Sequence, residues 1–190
     1  MTLNIVDLSS NNGPVNLATL KKAGCDGVII KATESNWYVN QYFASQVKQA
    51  ARLGMLIGTY HYSDGGSVSA NINHYCDTVK PYAKYIDWHI LDYEGRNIIR
   101  GGVGHAYLAL KAMKQLTGKT PMIYMGLSDE NSHNWSSVTS YPLWVAQYND
   151  MSNHYGFNPR AMYGHLRNWK KMAMFQYSAT SYIGGIGPVD

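Results

Sequence analysis

The chain has few of the features by which membrane proteins and metal-binding proteins are recognised in a sequence. No apolar run in its 190 residues approaches the roughly 20 residues that a membrane-spanning helix needs. It has only two cysteines, Cys25 and Cys76, and neither belongs to a CxxC or Cys/His pattern typical of zinc sites. We therefore expect no membrane span, no metal and no cofactor. Two buried, reduced thiols are the default interpretation, and the sequence leaves a disulfide between them open.

Charged residues are also scarce, at 15% of the chain, and they do not cluster. The formal net charge of +4 would favour an anionic polymer by general attraction, but the lack of a basic stripe argues against nucleic acid as a partner. The first residues lack the charged region, apolar stretch and cleavage site of a signal peptide, so we expect synthesis in the cytoplasm. With 45% hydrophobic residues and no linker, residues 1–190 are expected to form one globular domain.

Phenylalanine is rare and tyrosine is abundant, with Phe 3 against Tyr 16 and Trp 5. Amphipathic rings suit ligands that are polar but have apolar faces, such as sugars, and they also suit wet interfaces. A simpler explanation is that Tyr replaces Phe at many half-buried core positions. The composition alone does not decide between these explanations.

Two acidic residues, one position apart, end a hydrophobic segment and are the most informative feature of the sequence. Side chains alternate along a strand, so Asp92 and Glu94 point the same way, about 6.6 Å apart along the backbone. The preceding residues of the same parity, Ile86, Trp88 and Ile90, are apolar. Two carboxylates this close raise the pKa of one of them, which gives the protonated acid and ionised base that glycoside hydrolysis requires. The alternative is a solvated strand end with two ordinary surface acids, and the pattern alone does not exclude it.

Short apolar segments alternate with helical patterns along the chain. The strand candidates are 4–10, 27–34, 55–63, 87–94, 121–126, 142–148 and 172–178, with a last short segment at 186–190. Helices are predicted over 15–23, 39–53, 68–80 and 105–117. Ser67 is the expected N-cap of the third helix, and the other three are each followed by glycine. The segment 149–171 has no clean period and is expected to be irregular.

This alternation predicts an α/β fold with a parallel sheet. Seven or eight strands in 190 residues favour a closed barrel over an open doubly wound sheet. Because a full (β/α) barrel takes about 250 residues, some helices must be short or missing.

Polar or aromatic side chains stand at the ends of the predicted strands. In parallel α/β folds the site forms at the carboxyl ends of the strands. The side chains expected to converge on one mouth are Asp7, Glu34, Tyr62, Asp92, Glu94, Tyr124, Tyr148 and Asp190. A cleft with several acids and aromatic rings is the expected form of a carbohydrate site. His61 and His89 lie inside predicted strands, which favours a structural role for both.

Seven short motifs, in order along the chain, resemble those of the glycoside hydrolase family 25 lysozymes, the Chalaropsis-type N-acetylmuramidases that include phage endolysin catalytic domains. They are D-x-S-x-x-N/Q-G at 7–13, I-K-A-T-E-G at 30–35, G-x-Y-H-F at 58–62, D-x-E at 92–94, P-x-I-Y at 121–124, L-W-x-A-x-Y at 143–148, and W-Q-Y with G-I-x-G-x-V-D at 175–177 and 185–190. Each motif alone is weak, but seven in order over nearly the whole chain are specific. Ser35 replaces the usual Gly, Tyr62 a Phe and Phe175 a Trp, and none of these departures removes a carboxylate.

The resemblance implies an irregular, flattened (β/α) TIM-like barrel with some helices short or missing. It implies that Glu94 is the general acid, and that Asp92 either attacks the anomeric carbon or orients the substrate's own N-acetyl group to do so. Asp7 and Asp190 match two further acids of the family's cleft. The substrate-binding residues that we expect are Lys31, Tyr62, Tyr124, Trp144, Tyr148 and Gln176, with the rings of Tyr62, Tyr124 and Trp144 stacking on sugars.

The predicted function is cleavage of the β-1,4 bond between N-acetylmuramic acid and N-acetylglucosamine in peptidoglycan. The resemblance suggests a phage lysin that needs a holin-type pore to reach the cell wall, and wall-binding repeats would lie beyond Asp190. Two alternatives stay open. A chitinase-like glycosidase would extend its acids upstream as D-x-D-x-E, and Ile90 counts against it. A non-catalytic glycan-binding module is disfavoured by the intact Asp92 and Glu94.

Overall fold

A parallel sheet forms the centre of the computed structural model, which describes residues 2–190. Its seven parallel strands are β1 (Ile5–Leu8), β2 (Gly27–Glu34), β4 (Leu56–Tyr62), β5 (Trp88–Asp92), β6 (Met122–Gly126), β7 (Leu143–Ala146) and β9 (Met174–Gln176). Neighbours in the sheet follow this same order. A short strand, β3 (Tyr38–Val39), pairs antiparallel with β2 and forms a hairpin with it.

The sheet is apolar on both faces, as predicted for buried parallel strands. Side chains from the first strand to the last pack into one inner cluster, which requires the sheet to curl around them. The inner cluster consists of Ile29, Tyr60, Ile90, Met122, Tyr124, Trp144 and Ala146, with Ile5, Trp88, Tyr148 and Met174 packed against it. The predicted inward parity of Trp88 and Ile90 is confirmed. Ile86 differs, because it precedes β5 and belongs to the larger outer core between sheet and helices.

Within residues 2–190, five α-helices contribute to this outer layer. They are α1 (Leu17–Lys22), α2 (Phe43–Arg52), α3 (Val68–Val79), α4 (Arg96–Thr117) and α5 (Leu127–Ser132). The predicted cap of α3 is confirmed, since the side chain of Ser67 accepts a hydrogen bond from the backbone N–H of Ala70 at 3.3 Å. Between β7 and β9 the chain forms β8 (His154–Tyr155) and otherwise irregular structure. The predicted α/β barrel with short and missing helices is therefore confirmed.

The helix predicted over 105–117 is only the second part of α4. The helix begins at Arg96 and is interrupted at Gly102, whose φ of 71° is not helical. The hydroxyl of Tyr93 donates to the carbonyl of Gly102 at 3.0 Å, which satisfies an acceptor at the interruption. The sequence around Gly102 is rich in glycine and has no clear apolar period, so its pattern did not predict a helix there.

The curled sheet has a seam between its two edge strands. In the described part of the chain β1 and β9 do not pair with each other. A second sheet lies beside the seam, formed by β8, β10 (Ser181–Ile183) and β11 (Ile186–Val189). The backbone N–H of Asp7 donates to the carbonyl of Asp190, just after β11, at 2.9 Å. The segment predicted at 186–190 thus covers the edge of β1 instead of continuing the main sheet.

The cysteines are free thiols and the strand histidines are structural. Cys25 and Cys76 are both unpaired, which confirms the free thiols, but only Cys25 is buried as expected, and Cys76 is half-buried. The His61 ring lies between Thr33 and Asn71, and His89 Nδ1 lies 2.7 Å from the Tyr75 hydroxyl. Burial lowers the pKa of both histidines to about 4, which keeps them neutral at pH 7.

Among the described residues, no helix is long and apolar enough to cross a membrane. No group of three or more His, Cys, Asp or Glu side chains among them is arranged to hold a metal ion.

A buried carboxylate holds the irregular segment between β7 and β9 against α5. Glu130 is fully buried, and its two carboxylate oxygens accept hydrogen bonds from three consecutive backbone N–H groups. The donors are Arg167 at 2.9 Å, Asn168 at 2.6 Å and Trp169 at 3.2 Å. Three backbone hydrogen bonds to one carboxyl group therefore hold residues 167–169, which have no regular structure, against α5.

We expect Glu130→Gln to lower the free energy of unfolding by about 1–3 kcal/mol, because an amide nitrogen cannot accept the hydrogen bonds that an oxygen accepts. Urea denaturation measures the change. The exposed acid Asp77 on α3 supplies the control, since Asp77→Asn should change the free energy by no more than about 0.5 kcal/mol. Equal denaturation midpoints for Glu130→Gln and the parent would contradict the role given to Glu130.

Candidate active site

One row of side chains crosses the sheet at the carboxyl ends of the strands. Strand pairing places Glu34 of β2 beside Tyr62 of β4, and Tyr62 beside Asp92 of β5. The row continues through Tyr124 of β6 to Trp144 of β7. Parallel register therefore brings together residues that are more than a hundred positions apart in sequence. This edge of the sheet is where α/β folds bind ligands.

Asp92 and Glu94 form the centre of the row. Asp92 is the last residue of β5 and is 8% exposed, whereas Glu94 is half-buried and borders an open groove. The backbone remains extended beyond Asp92, since the N–H of Tyr93 donates to the carbonyl of Tyr124 at 3.1 Å. The alternation expected from the sequence thus persists past the end of the strand.

Burial and the charges of neighbouring acids raise the pKa of both carboxyls. Burial contributes most for Asp92, followed by the charges of Glu94 and Asp7. Burial also contributes most for Glu94, followed by Asp129 and Asp190. One oxygen of Asp92, Oδ1, is buried without a hydrogen-bond partner, which makes its ionised form costly. The alternative of two ordinary surface acids is therefore excluded.

Asp7 and Asp190 lie at the seam on the same side of the sheet. Burial and the charge of Asp190 raise the pKa of Asp7. Asp190 is an exposed residue, but the partial burial of its carboxyl group raises the pKa of that group to about 6. Asp7 is close enough to Asp92 for its charge to raise the pKa of that carboxyl as well. The structure therefore brings all four predicted acids to one cleft.

Gln176 organises the floor of the cleft. Its Oε1 accepts hydrogen bonds from the hydroxyls of Tyr124 and Tyr148, both at 2.7 Å. Because two donors fix the position of Oε1, the amide nitrogen must face the other way, where Nε2 donates to Asp7 Oδ2 at 3.3 Å. Gln176 lies in β9 and Asp7 in β1, so this side chain also crosses the seam.

Lys31 reaches the cleft because of a β-bulge. The register between β2 and β4 shifts between Lys31 and Thr33, so Lys31 and Glu34 face the same side although their spacing in a regular strand would place them on opposite faces. Lys31 Nζ lies 2.6 Å from Glu34 Oε2 and 5.0 Å from the centre of the Tyr62 ring. Its charge also lowers the pKa of Asp7 and Asp92.

The aromatic residues of the site divide into floor and rim. Trp144 is 5% exposed and packs against Tyr124 with the ring centres 4.6 Å apart. This pair supports the floor and offers little ring area for the sugar stacking that we expected of it. Tyr62 and Tyr148 are only half-buried and lie nearer the open side.

Open space lies on both sides of the acids. A groove of about 620 Å³ begins at Glu94 and Tyr148 and continues past Ser128 and Asn131. A cavity of about 510 Å³ at the seam has Asp7, Asp190 and Gln176 in its wall. Asp129 lies near Glu94, on the side of the groove. Its charge raises the pKa of Glu94, and its Oδ2 accepts a hydrogen bond from the backbone N–H of Gly95 at 2.9 Å. Asp129 was not among the predicted site residues, because the short helix α5 that carries it was not predicted.

Replacing a cleft acid by its amide should make the protein more stable at neutral pH. The raised pKa of Asp7 means that folding favours its protonated form, so the stability present in acid is lost as the pH rises through the folded-state pKa. Asp7→Asn avoids this loss. Its denaturation midpoint should exceed that of the parent near pH 7, and the difference should vanish as the pH falls below about 4.

Denaturant titrations of both proteins between pH 3 and pH 8 test this expectation. Asp92→Asn should behave in the same way, since the pKa of Asp92 is also raised. A difference that does not vary with pH, or a parent that is the more stable protein at pH 7, would show that burial does not act on these carboxylates as described.

Comparison with known proteins supports the motif resemblance. The model of glycosyl hydrolases family 25 matches residues 6–186. The chain is similar to the lysozyme of Streptococcus phage Cp-9, with 28% identity over 97% of this chain and 53% of that lysozyme. It is 30% identical to the uncharacterized protein YegX of Escherichia coli K12 over 63% of this chain and 44% of YegX. The chain thus spans about half the length of the curated relatives that it matches.

The fold is also similar to that of a solved phage protein. The catalytic domain of endolysin ply40 from bacteriophage P40 of Listeria monocytogenes superposes with a TM-score of 0.81 and 22% identity, covering 100% of this chain and 91% of that domain. Since the family model matches nearly the whole chain, and the acid pair occupies the expected place in the expected fold, the chain belongs to glycosyl hydrolases family 25.

Proposed function

We propose that residues 1–190 act as one catalytic unit of a peptidoglycan hydrolase, an N-acetylmuramidase that cleaves the β-1,4 bond between N-acetylmuramic acid and N-acetylglucosamine. The observation that carries the proposal is the Asp92–Glu94 pair, two carboxyls of raised pKa at the carboxyl end of β5 between two open spaces. Family membership and the similarity to a phage lysozyme support it.

Glu94 is assigned the proton transfers. It borders the groove, where a leaving group and an incoming water have access, and its raised pKa keeps a proton on it at higher pH than an ordinary Glu would. In the first step its proton passes to the glycosidic oxygen as the bond to the anomeric carbon breaks. In the second step the ionised Glu94 takes a proton from the water that attacks the anomeric carbon.

Asp92 is assigned the negative charge that stabilises the cation-like transition state. Burial and the charges of Glu94, Asp7 and Glu34 raise the pKa of Asp92, and the ammonium of Lys31 opposes this shift. The assignment rests on position: Glu94 borders the groove through which a leaving group and water arrive, and Asp92 is the carboxyl whose ionised form Lys31 stabilises. Asp92 then either attacks the anomeric carbon or orients the substrate's own acetamido group to do so.

The other cleft residues position the sugar in this proposal. Asp7 and Asp190 flank the reacting ring, with Gln176 fixing the orientation of Asp7. Lys31, Tyr62 and Tyr148 contact the glycan from the rim, and Tyr124 and Trp144 support the floor. The proposed place of action is the cell wall. Wall-binding repeats outside these residues and a holin-type pore are the proposed partners.

Two observations weigh against the rival functions. The position at which a chitinase-like series would carry a third acid is Ile90, which is fully buried in the inner cluster. A module that only binds glycans would gain nothing from Asp92, a buried carboxylate with an unpartnered oxygen that lowers stability at neutral pH.

Glu94→Gln should lower the rate of wall lysis roughly 10²–10⁴-fold, because the amide keeps the shape of the side chain but has no proton to transfer. Turbidity loss of purified cell walls measures the rate, and circular dichroism checks the fold. Asp77→Asn, on the exposed side of α3, should lyse walls at the rate of the parent. A Glu94→Gln variant within a few-fold of the parent would refute the assignment of Glu94.

The new reducing end produced from peptidoglycan should be N-acetylmuramic acid. A glucosaminidase could use a similar acid pair and aromatic lining, so wall lysis alone does not distinguish the two activities. Borohydride reduction of digested walls, followed by sugar analysis, distinguishes them. Muramitol as the dominant product is the expected result, and dominant glucosaminitol would reject the muramidase assignment.

A further inference from the structure

The hairpin between β2 and β3 carries a tryptophan that the fold does not use. Trp37 is 71% exposed, and its described ring contact is an edge contact with Tyr38, with centres 5.8 Å apart and planes at 80°. Tyr38 meets it edge-on, so the indole keeps much of its surface toward solvent. A side chain this exposed adds little to the hydrophobic core.

The hairpin nevertheless holds Trp37 in a defined place. On either side of the turn, Glu34 pairs with Tyr38. The N–H of Ser35 donates to the carbonyl of Tyr62 at 3.0 Å, and His74 Nε2 lies 3.0 Å from the carbonyl of Tyr38. Single exposed apolar residues are common on protein surfaces, but few are fixed by bonds on both sides of the turn that presents them. A pre-positioned ring loses little entropy when a ligand binds it.

The position of the hairpin is continuous with the acid cleft. Tyr38 extends the transverse row of side chains by one strand, through Glu34 and Tyr62 to Asp92. Three strand spacings separate Tyr38 from Asp92, about 14 Å along the sheet. Lys31 lies between Tyr38 and Tyr62 of this row, since its Nζ is 5.6 Å from the centre of the Tyr38 ring and 5.0 Å from that of Tyr62.

We propose that Trp37 and Tyr38 form a distal glycan-binding subsite, in which the indole stacks on the apolar face of an N-acetylhexosamine ring. The subsite rests on the proposed function, because its ligand is the same glycan strand whose bond is cleaved at Asp92 and Glu94. A fragment that spans only the scissile bond is too short to reach it. The subsite therefore makes the enzyme favour long glycan strands over short fragments.

Kinetics on soluble, uncross-linked glycan strands test the subsite. Trp37→Ala should raise KM for long strands about 2- to 12-fold, which is the worth of one aromatic stacking contact, and should leave kcat within about twofold. For fragments too short to reach the hairpin, neither constant should change. Trp37→Phe should restore most of the affinity, because it keeps a ring.

Tyr155 supplies the matched control, because it is 73% exposed but lies in β8 of the second sheet. Tyr155→Ala should leave KM for long strands unchanged. An unchanged KM in Trp37→Ala, an equal change for long and short substrates, or an equal effect of Tyr155→Ala would overturn the subsite.

A binding measurement separates this proposal from the proposed function. In Glu94→Gln labelled with nitrogen-15, the indole N–H signal of Trp37, assigned by comparison with Trp37→Phe, should shift when the glycan strands are added. If the Trp37 signal shifts but the parent protein does not cleave cell walls, the proposed hydrolase function is refuted and the subsite is supported. An unmoved Trp37 signal overturns the subsite whether or not the parent is active.

Discussion

The amide of Gln176 is the contact on which the shape of the site depends. It joins β9 to β1 across a seam where the sheet has no ladder, and it accepts the hydroxyls of two tyrosines from β6 and the segment after β7. The amide oxygen meets only donors and the amide nitrogen meets an acceptor, so only one orientation of the side chain satisfies its hydrogen bonds. The position of Asp7 is fixed in turn. The side chain that links the two edge strands across the seam thus also arranges the cleft.

Charge is distributed unevenly around that floor. Four acids share a partly dehydrated space, which raises their pKa values and costs stability at neutral pH. Lys31 offsets the cost on the side of Asp7 and Asp92, whereas Asp129 adds to it beside Glu94. The same burial that lowers stability at neutral pH therefore gives the cleft carboxyls that keep protons at higher pH than ordinary acids do.

The sequence predicted what depends on local periodicity and on strand order. All eight strand candidates contain a strand, and the parity of Asp92 and Glu94 follows from alternation alone. It did not predict what depends on contacts between distant residues. The bulge after Lys31 appears only in the pairing of β2 with β4, and the role of Glu130 only in the three backbone groups that it meets 37 to 39 positions later. Trp37 was overlooked because β3 is too short to show a period.

The segment between β7 and β9 forms no helix and is likewise held by contacts with residues that are distant in sequence. A helix there would cover the seam and its cavity, and the site would be narrower beside Asp7 and Asp190. The irregular segment is held instead by single polar side chains: Glu130 at one end, and Arg160, whose guanidinium donates to Gln147 Oε1 at 2.9 Å and lies 5.3 Å from the ring centre of Phe175. Point contacts fix a segment without filling the space beside it. A barrel that is incomplete on this side keeps the seam end of the acid row open, as the proposed polymeric substrate requires.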